Sequence, residues 1–268
     1  MDFIHLAVLA LVQGITEFLP VSSSGHLVLV PLFMRVPDQG LIIDVAVHVG
    51  TLGAVILYLW RDVFAMLGGL GRMVKGRRDP GARLAELLVV GTIPVVIAGF
   101  ALNHYIPEGI RGLKVIGWTT LGFGVLLMIA DQVSMTLRRI EHLRMGDVII
   151  IGIVQVLALV PGTSRSGICM TAGRMMGMER REAARFSMLL GIPALAGAGV
   201  LKGWDLYKAG NAQLTADAFL AAGMSFAAAL VAIALMMAWL RRASFTVFGV
   251  YRLLLGSFLL AIAYGLIG

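Results

Sequence analysis

Two apolar stretches of this chain are broken in the same way, and the breaks constrain the fold more than any other feature. The first runs from Phe3 to Leu19, stops at Pro20-Val21-Ser22-Ser23-Ser24-Gly25-His26 and resumes over Leu27–Met34. The second runs from Val148 to Val160, stops at Pro161-Gly162-Thr163-Ser164-Arg165-Ser166-Gly167 and resumes over Ile168–Met178. Each arm is shorter than the roughly 20 residues a helix needs to cross a bilayer. Non-helical backbone at membrane depth persists only where protein or a wet cavity satisfies its polar groups. Both stretches are therefore expected to be re-entrant hairpins, about residues 3–34 and 148–178.

Around them lie apolar runs of spanning length. Five are long, at Leu41–Trp60, Leu84–Leu102, Leu113–Ala130, Phe219–Leu240 and Phe245–Ile267, and a sixth, Phe186–Leu201, is shorter but uncharged. The expectation is an all-α, polytopic membrane protein with six transmembrane helices, two re-entrant helical hairpins and a single membrane domain over residues 1–268. Composition agrees, with 59% hydrophobic and 14% charged residues, where a soluble domain carries about a quarter charged. The first apolar run holds Glu17 and has no basic segment before it, so no cleavable signal is expected.

Basic residues set the orientation. With both hairpins re-entrant, fifteen lie on one side, in 61–83, 138–144, 174–185 and at Arg241 and Arg242, against five at Arg35, Arg111, Lys114, Lys202 and Lys208. The richer side is expected to be cytoplasmic, so the first hairpin dips in from outside, the second from the cytoplasm, and both chain ends lie outside. The net charge of +7 sits in these short loops, which points to anionic membrane lipids rather than nucleic acid.

The halves 1–142 and 143–268 read as repeats. At an offset of 142, Gln13 meets Gln155, Ser22 meets Ser164, Ser24 meets Ser166 and Gly25 meets Gly167; at an offset of 132, Gly91 meets Gly223, Gly117 meets Gly249 and Gly124 meets Gly256. Each half is one hairpin plus three spans, so the halves are inverted in topology, an arrangement that places a shared site near the midplane.

Ionisable groups at that depth are costly and mark function. The first hairpin holds Glu17 and His26, with Gln13 on the same helix face as Glu17, one turn away. The second holds Arg165, whose forked, permanently charged donors match a phosphate. Ser22, Ser24, Thr163, Ser164, Ser166 and Gly167 add hydroxyls and helix-start amides as phosphate donors. Glu17 with Gln13 offers hard oxygen ligands for Mg²⁺ or Ca²⁺, and His26 or Ser23 can serve as a nucleophile. The set suits phosphoryl transfer on a lipid-borne phosphate. His48 could line the site. Arg252 reads as an interface anchor or the partner of an inward-facing acid; His5, His104 and His142 read as peripheral. Cys169 is the single cysteine and reads as apolar filling. Gly173 and Gly177 form one GxxxG pair, which admits a homodimer without specifying it. There is no Walker loop, Rossmann fingerprint or His-x-x-x-His pair.

The segment Gln13-Gly-Ile-Thr-Glu17-Phe-Leu-Pro20-Val-Ser-Ser-Ser-Gly-His26 resembles the first signature of the undecaprenyl-diphosphate phosphatase, or bacitracin-resistance (BacA/UppP), family, and Pro161–Gly167 resembles the second. Gly91-Thr-Ile-Pro94 and Phe186–Pro193 are similar to further family segments, so the resemblance covers essentially the whole chain. It implies hydrolysis of undecaprenyl diphosphate to undecaprenyl phosphate and inorganic phosphate, recycling the lipid carrier for peptidoglycan synthesis and conferring bacitracin resistance. It also implies a divalent cation, a bacterial inner-membrane location and a site facing the periplasm. Glu17, His26 and Arg165 match the family's acid, histidine and arginine, and Ser22, Ser23 and Ser164 match its motif serines. Gln13 departs from the glutamate of many members, which lowers the charge available to a metal.

Three routes stay open: a phosphohistidine at His26, attack by a motif serine (Ser23 first) with His26 as base, or a metal-bound water. A flippase of undecaprenyl phosphate is the alternative function, because inverted repeats with broken helices are also a transporter device.

Overall fold

The computed structural model describes residues 2–36, 40–77, 79–105, 112–133, 138–209 and 212–267. Arg78 and Arg111, used above to orient the chain, lie outside them. Eleven α-helices are found among the described residues: α1 (Phe3–Thr16), α2 (Ser23–Met34), α3 (Leu41–Tyr58), α4 (Trp60–Val74), α5 (Pro80–Tyr105), α6 (Leu113–Val133), α7 (Met145–Gln155), α8 (Arg165–Met175), α9 (Arg180–Ala209), α10 (Ala212–Trp239) and α11 (Thr246–Ala263). Four are long and apolar enough to cross a membrane: α5, α6, α10 from Gln213, and α11. α3 and α4 form a fifth, broken candidate. The sixth expected run lies within the unbroken 30-residue α9.

Polarity is arranged inside out. Phe100, Phe219 and Leu254 point outward, whereas Gln13, Thr51, Thr120, Gln155 and Ser225 are completely buried. Apolar side chains gain nothing by avoiding a lipid solvent, and polar ones must find partners within the bundle. The chain is thus a multi-pass membrane protein.

Both apolar breaks become helix–turn–helix elements. α1 and α2 flank the first and pack on each other; α7 and α8 flank the second, with a short 3₁₀ segment at Val156–Leu159 preceding the break. At 1.5 Å per residue α1 is only about 21 Å long and α8 about 17 Å, short of the roughly 30 Å hydrocarbon layer. Packing is reciprocal between the halves: α1 lies on α10 as α7 lies on α5, while α6 packs on α11 and α3 on α9. Glycines at 117 and 124 in α6 and at 249 and 256 in α11 bring those two helices into close contact; a Cβ on Gly256 would strike Leu121, and one on Gly117 would strike Leu260. Small residues of this kind let backbones approach.

Several expectations are corrected. Residues 61–74 are not a loop: α3 turns through 81° at Leu59 into α4. Phe64, Leu67 and Val74 are exposed on α4 while Met66 and Gly69 face inward, and its basic residues had disguised that helical pattern. The following turn is fixed by Arg72 Nε, which donates to Asp79 at 2.6 Å and holds that carboxyl below the usual carboxylate range. Arg174 is not a loop residue. It is fully buried, its Nε 3.0 Å from Asp131 Oδ1, which also takes Arg180 Nε at 2.7 Å. Gly173 packs against Ala183 and Gly177 adopts φ +82° in a turn, so the GxxxG pair is used inside the protomer and forms no outward stripe. His5 is buried near the start of α1.

Candidate active site

The two loops are built on one backbone plan. Ser22 and Ser164 both take left-handed φ values, 73° and 69°, that only an over-determined site maintains in a non-glycine residue. Each is the N-cap of the following helix, accepting from the amide of the glycine three residues on, Gly25 N at 3.3 Å and Gly167 N at 3.1 Å. Each cap hydroxyl also meets the next motif serine at 3.2 Å, Ser22 with Ser24 and Ser164 with Ser166. These outer serines reach across: Gly162 N donates to Ser24 Oγ at 3.1 Å, and Ser166 Oγ donates to Leu19 O at 3.0 Å. Four of the expected phosphate-binding hydroxyls therefore have partners in the scaffold itself. Their bonds tie the two loops together just ahead of α2 and α8, whose first-turn amides favour an anion.

The residue between the paired serines is the one that differs. Glu17, at the end of α1, is the centre. Its Oε2 accepts from Gln13 Nε2 at 2.8 Å and from Ser23 Oγ at 3.1 Å, and its Oε1 accepts from Arg165 Nη2 at 2.9 Å. His48 of α3 stands with Nε2 3.6 Å from the same carboxylate. Its Nδ1 donates to Asp44 O at 2.6 Å, so Nε2 can donate toward Glu17 only when the ring carries both protons. Gln13, Glu17, Ser23, Arg165 and His48 are thereby gathered around one buried carboxylate, from both halves of the chain.

His26 lies elsewhere in the constellation. Its Nδ1 is 2.7 Å from Ser22 O and its Nε2 is 2.6 Å from Tyr251 Oη. A carbonyl only accepts, so Nδ1 carries a proton and, in the neutral ring, Nε2 accepts from the tyrosine. The rings stack within 3° of parallel. Ser23 therefore has Glu17, not His26, as its hydrogen-bond partner.

Of the five buried polar side-chain atoms without a partner among the described residues, three belong to the two motifs, Gln13 Oε1, Thr163 Oγ1 and Arg165 Nη1; the others are His5 Nε2 and Gln155 Nε2. Such atoms are uncommon and call for a ligand or solvent. Arg165 Nη1 offers a positive donor, and Gln13 Oε1 a hard acceptor beside Glu17. Among the described residues no three His, Cys, Asp or Glu side chains converge as a ready-made metal site. A cation here would need oxygens from a bound substrate, the usual manner in which Mg²⁺ is held.

Sequence reasoning missed Tyr251 and misplaced Arg252. Arg252 is completely buried and meets no acid among the described residues; its donors go to backbone carbonyls of Thr120, Gly162, Thr163 and Pro20. Thr119 and Thr120 of α6 also tie down the second loop, through Pro161 O at 2.6 Å and Gly162 O at 3.3 Å. At the offset of 132 Thr119 aligns with Tyr251 and Thr120 with Arg252, but that correspondence does not reveal what either residue bonds.

Comparison with known proteins identifies the family. The profile of the family described as "Bacitracin resistance protein BacA" matches residues 6–258. The chain is 55% identical to a protein named "Undecaprenyl-diphosphatase 1" from Rhodospirillum rubrum, over 98% of this chain and 96% of that one. Proteins named "Undecaprenyl-diphosphatase" from Ruegeria pomeroyi and Hahella chejuensis are 52% and 45% identical, over 98% of this chain and 100% and 99% of theirs. The profile match over residues 6–258 and identities of 45–55% to relatives covered along nearly their whole length place this chain in the bacitracin resistance protein BacA family.

Proposed function

We propose that this protein is an integral membrane phosphatase that hydrolyses undecaprenyl diphosphate to undecaprenyl phosphate and inorganic phosphate. It thereby recycles the lipid carrier of peptidoglycan synthesis and confers bacitracin resistance. The observation that carries the reading is Ser23 Oγ, 3.1 Å from a buried carboxylate whose other oxygen is held 2.9 Å from Arg165. A nucleophile, its base and a phosphate-binding cation are the parts that phosphoryl transfer needs.

In the mechanism this geometry supports, Ser23 Oγ attacks the terminal phosphorus and its proton passes to Glu17. The Oγ–P bond forms as the bond from phosphorus to the bridging oxygen breaks, and undecaprenyl phosphate leaves. Water then attacks the seryl phosphate, and the Glu17 proton returns to Ser23 Oγ as the P–Oγ bond breaks. Arg165, with the amides at the starts of α2 and α8, stabilises the charge spread over the transferring group. Thr163 Oγ1 is a further donor within the second loop, and His48 lines the site beside Glu17. His26, engaged with Ser22 O and Tyr251, steadies the start of α2. Mg²⁺ or Ca²⁺ would be held by Glu17 and Gln13 Oε1 together with substrate oxygens, and when bound would neutralise diphosphate charge.

The same reading places the protein in the bacterial inner membrane. Six crossings and the two re-entrant hairpins make up inverted repeats of residues 1–142 and 143–268, with the site open to the periplasm. The reciprocal packing of α1 on α10 and α7 on α5 supports the repeat.

The test is phosphate release from undecaprenyl diphosphate by protein purified in detergent, with and without chelator. Detergent removes sidedness, so a pure flippase would release none, and that result would sink the proposal. A trapped phosphoenzyme separates the nucleophiles: phosphoserine survives acid, phosphohistidine does not.

A further inference from the structure

Arg252 has no counterpart in the reaction just described, yet it is among the most deeply buried side chains of the molecule. A guanidinium taken out of water is costly unless its donors are satisfied. Among the described residues every partner is a backbone carbonyl: Nε donates to Thr120 O at 3.1 Å, Nη2 to Gly162 O at 3.0 Å and Thr163 O at 2.9 Å, and Nη1 to Pro20 O at 3.5 Å. Pro20 belongs to the loop of Glu17 and Ser23; Gly162 and Thr163 immediately precede the cap of Arg165. Both helix breaks free carbonyls that would otherwise lie bare at membrane depth. One side chain from α11 therefore answers both loops at once.

The surroundings are shaped to this group. A Cβ on Gly167 would sit 2.9 Å from Arg252 Nη1, and one on Gly124 would sit 2.8 Å from Arg252 Cβ. By contrast, a Cβ on Gly25, the matching glycine of the first motif, would find its nearest neighbour at 3.4 Å. The glycine of the second motif thus leaves room for the guanidinium, a demand its counterpart does not face. At the offset of 132 the first half carries Thr120 in place of Arg252, and Thr120 also bonds Gly162 O. The strut is one-sided: at this pair of matching positions the second half carries a long guanidinium and the first half a threonine.

We propose that Arg252 is a positioning residue that fixes the Arg165 loop relative to the Glu17–Ser23 loop, and so sets the in-line geometry of phosphoryl transfer. Its role toward the reaction rests on the phosphatase reading; its coupling of the loops does not. A misplacement of about 1 Å from a change outside the chemistry can cost about 10²-fold in rate.

The experiment compares Arg252→Lys, Arg252→Gln and the unaltered full-length protein in detergent, by kcat and KM on undecaprenyl diphosphate and by hydrogen–deuterium exchange. Arg252→Gln is expected to lower kcat about 100-fold with KM changed less than about 3-fold. Exchange should rise in peptides covering both 17–26 and 160–170 and not across the α3–α10 packing. Lysine, a compact charge without the fork, should restore only part of the rate. Combining Arg252→Lys with Arg165→Lys should slow the enzyme no further than Arg165→Lys alone, because both act on one element. Wild-type kcat and loop exchange in both variants would overturn the proposal. So would a rise in exchange spread evenly over the bundle, additivity in the double variant, or failure of both variants to accumulate, since each assigns Arg252 to the fold at large. If the unaltered protein released no phosphate while loop exchange still rose on substitution, the phosphatase reading would fall and the coupling would stand.

Discussion

Ser22 and Ser164 hold the same unusual backbone angle, cap their helices through the same glycine amide and meet the next serine at the same 3.2 Å. One residue further along, the first loop carries Ser23 and the second Arg165; before the break, the first has Glu17 where the second has Leu159. The shared scaffold thus carries different side chains at these positions, and again at His26, where the second loop has Ile168. The first loop supplies a hydroxyl and a carboxylate, the second a permanent cation. Their meeting across Glu17 means neither half is complete alone. The comparison also separates four serines that bond within the scaffold from Ser23, which bonds Glu17.

Removing the distinct residue should have the largest effect. Ser23→Ala is expected to cut phosphate release by about 10⁴-fold while leaving thermal stability in detergent nearly unchanged, since Ser23 caps nothing. A variant that kept a tenth of wild-type kcat would break the division of labour, moving the nucleophile to His26 or to water. Arg165→Lys tests the other loop. It retains charge but loses the forked donors, and kcat should fall by about 10² to 10³-fold. Near-normal turnover would remove Arg165 from the phosphate site.

Much of this contrast was legible before any coordinates. The apolar breaks at Pro20 and Pro161 announced two short-armed hairpins, because proline ends a helix and serine and glycine follow where caps are needed. Glu17, His26 and Arg165 stood out because charge is scarce in such stretches. What stayed hidden was pairing at a distance. Nothing near Tyr251 marks it as the partner of His26, and Arg252 looked like an anchor because no carboxylate is needed when four carbonyls are offered. α4 was concealed by Arg61, Asp62 and Arg72, whose charges resemble a loop until their spacing is set against Phe64, Leu67 and Met73. Arg174 was misread for a similar reason: its acid, Asp131, lies 43 residues earlier.

The supports should respond alike if the scaffold is truly shared. Ser22→Ala and Ser164→Ala each remove an N-cap, worth about 1 kcal/mol. Both should lower thermal stability by a similar amount and kcat by roughly ten-fold, far less than Ser23→Ala. Ser166→Ala loses its cross-loop bond to Leu19 O and its contact with Ser164 Oγ but leaves the cap itself in place, and should be milder still. A drop for Ser164→Ala as deep as that of Ser23→Ala would sharpen the comparison differently, making the second cap a direct phosphate ligand.

The smallest expected change concerns the histidine that only the first loop kept. His26 occupies the position of Ile168, and its ring is held on one side by Ser22 O and on the other by Tyr251. Tyr251→Phe preserves the stacked ring but deletes the hydroxyl that fixes Nε2. If His26 serves chiefly to steady the start of α2, the Ser22 bond suffices and kcat should fall only about 3-fold, with KM unchanged. Were His26 instead the base for Ser23, freeing its Nε2 would alter the pH dependence of kcat, the measurement that reports an essential acid or base in the bound complex. An unchanged pH profile in Tyr251→Phe, together with acid-stable phosphoenzyme, leaves Glu17 as the proton acceptor and confines the chemistry of the first loop to a carboxylate and a hydroxyl.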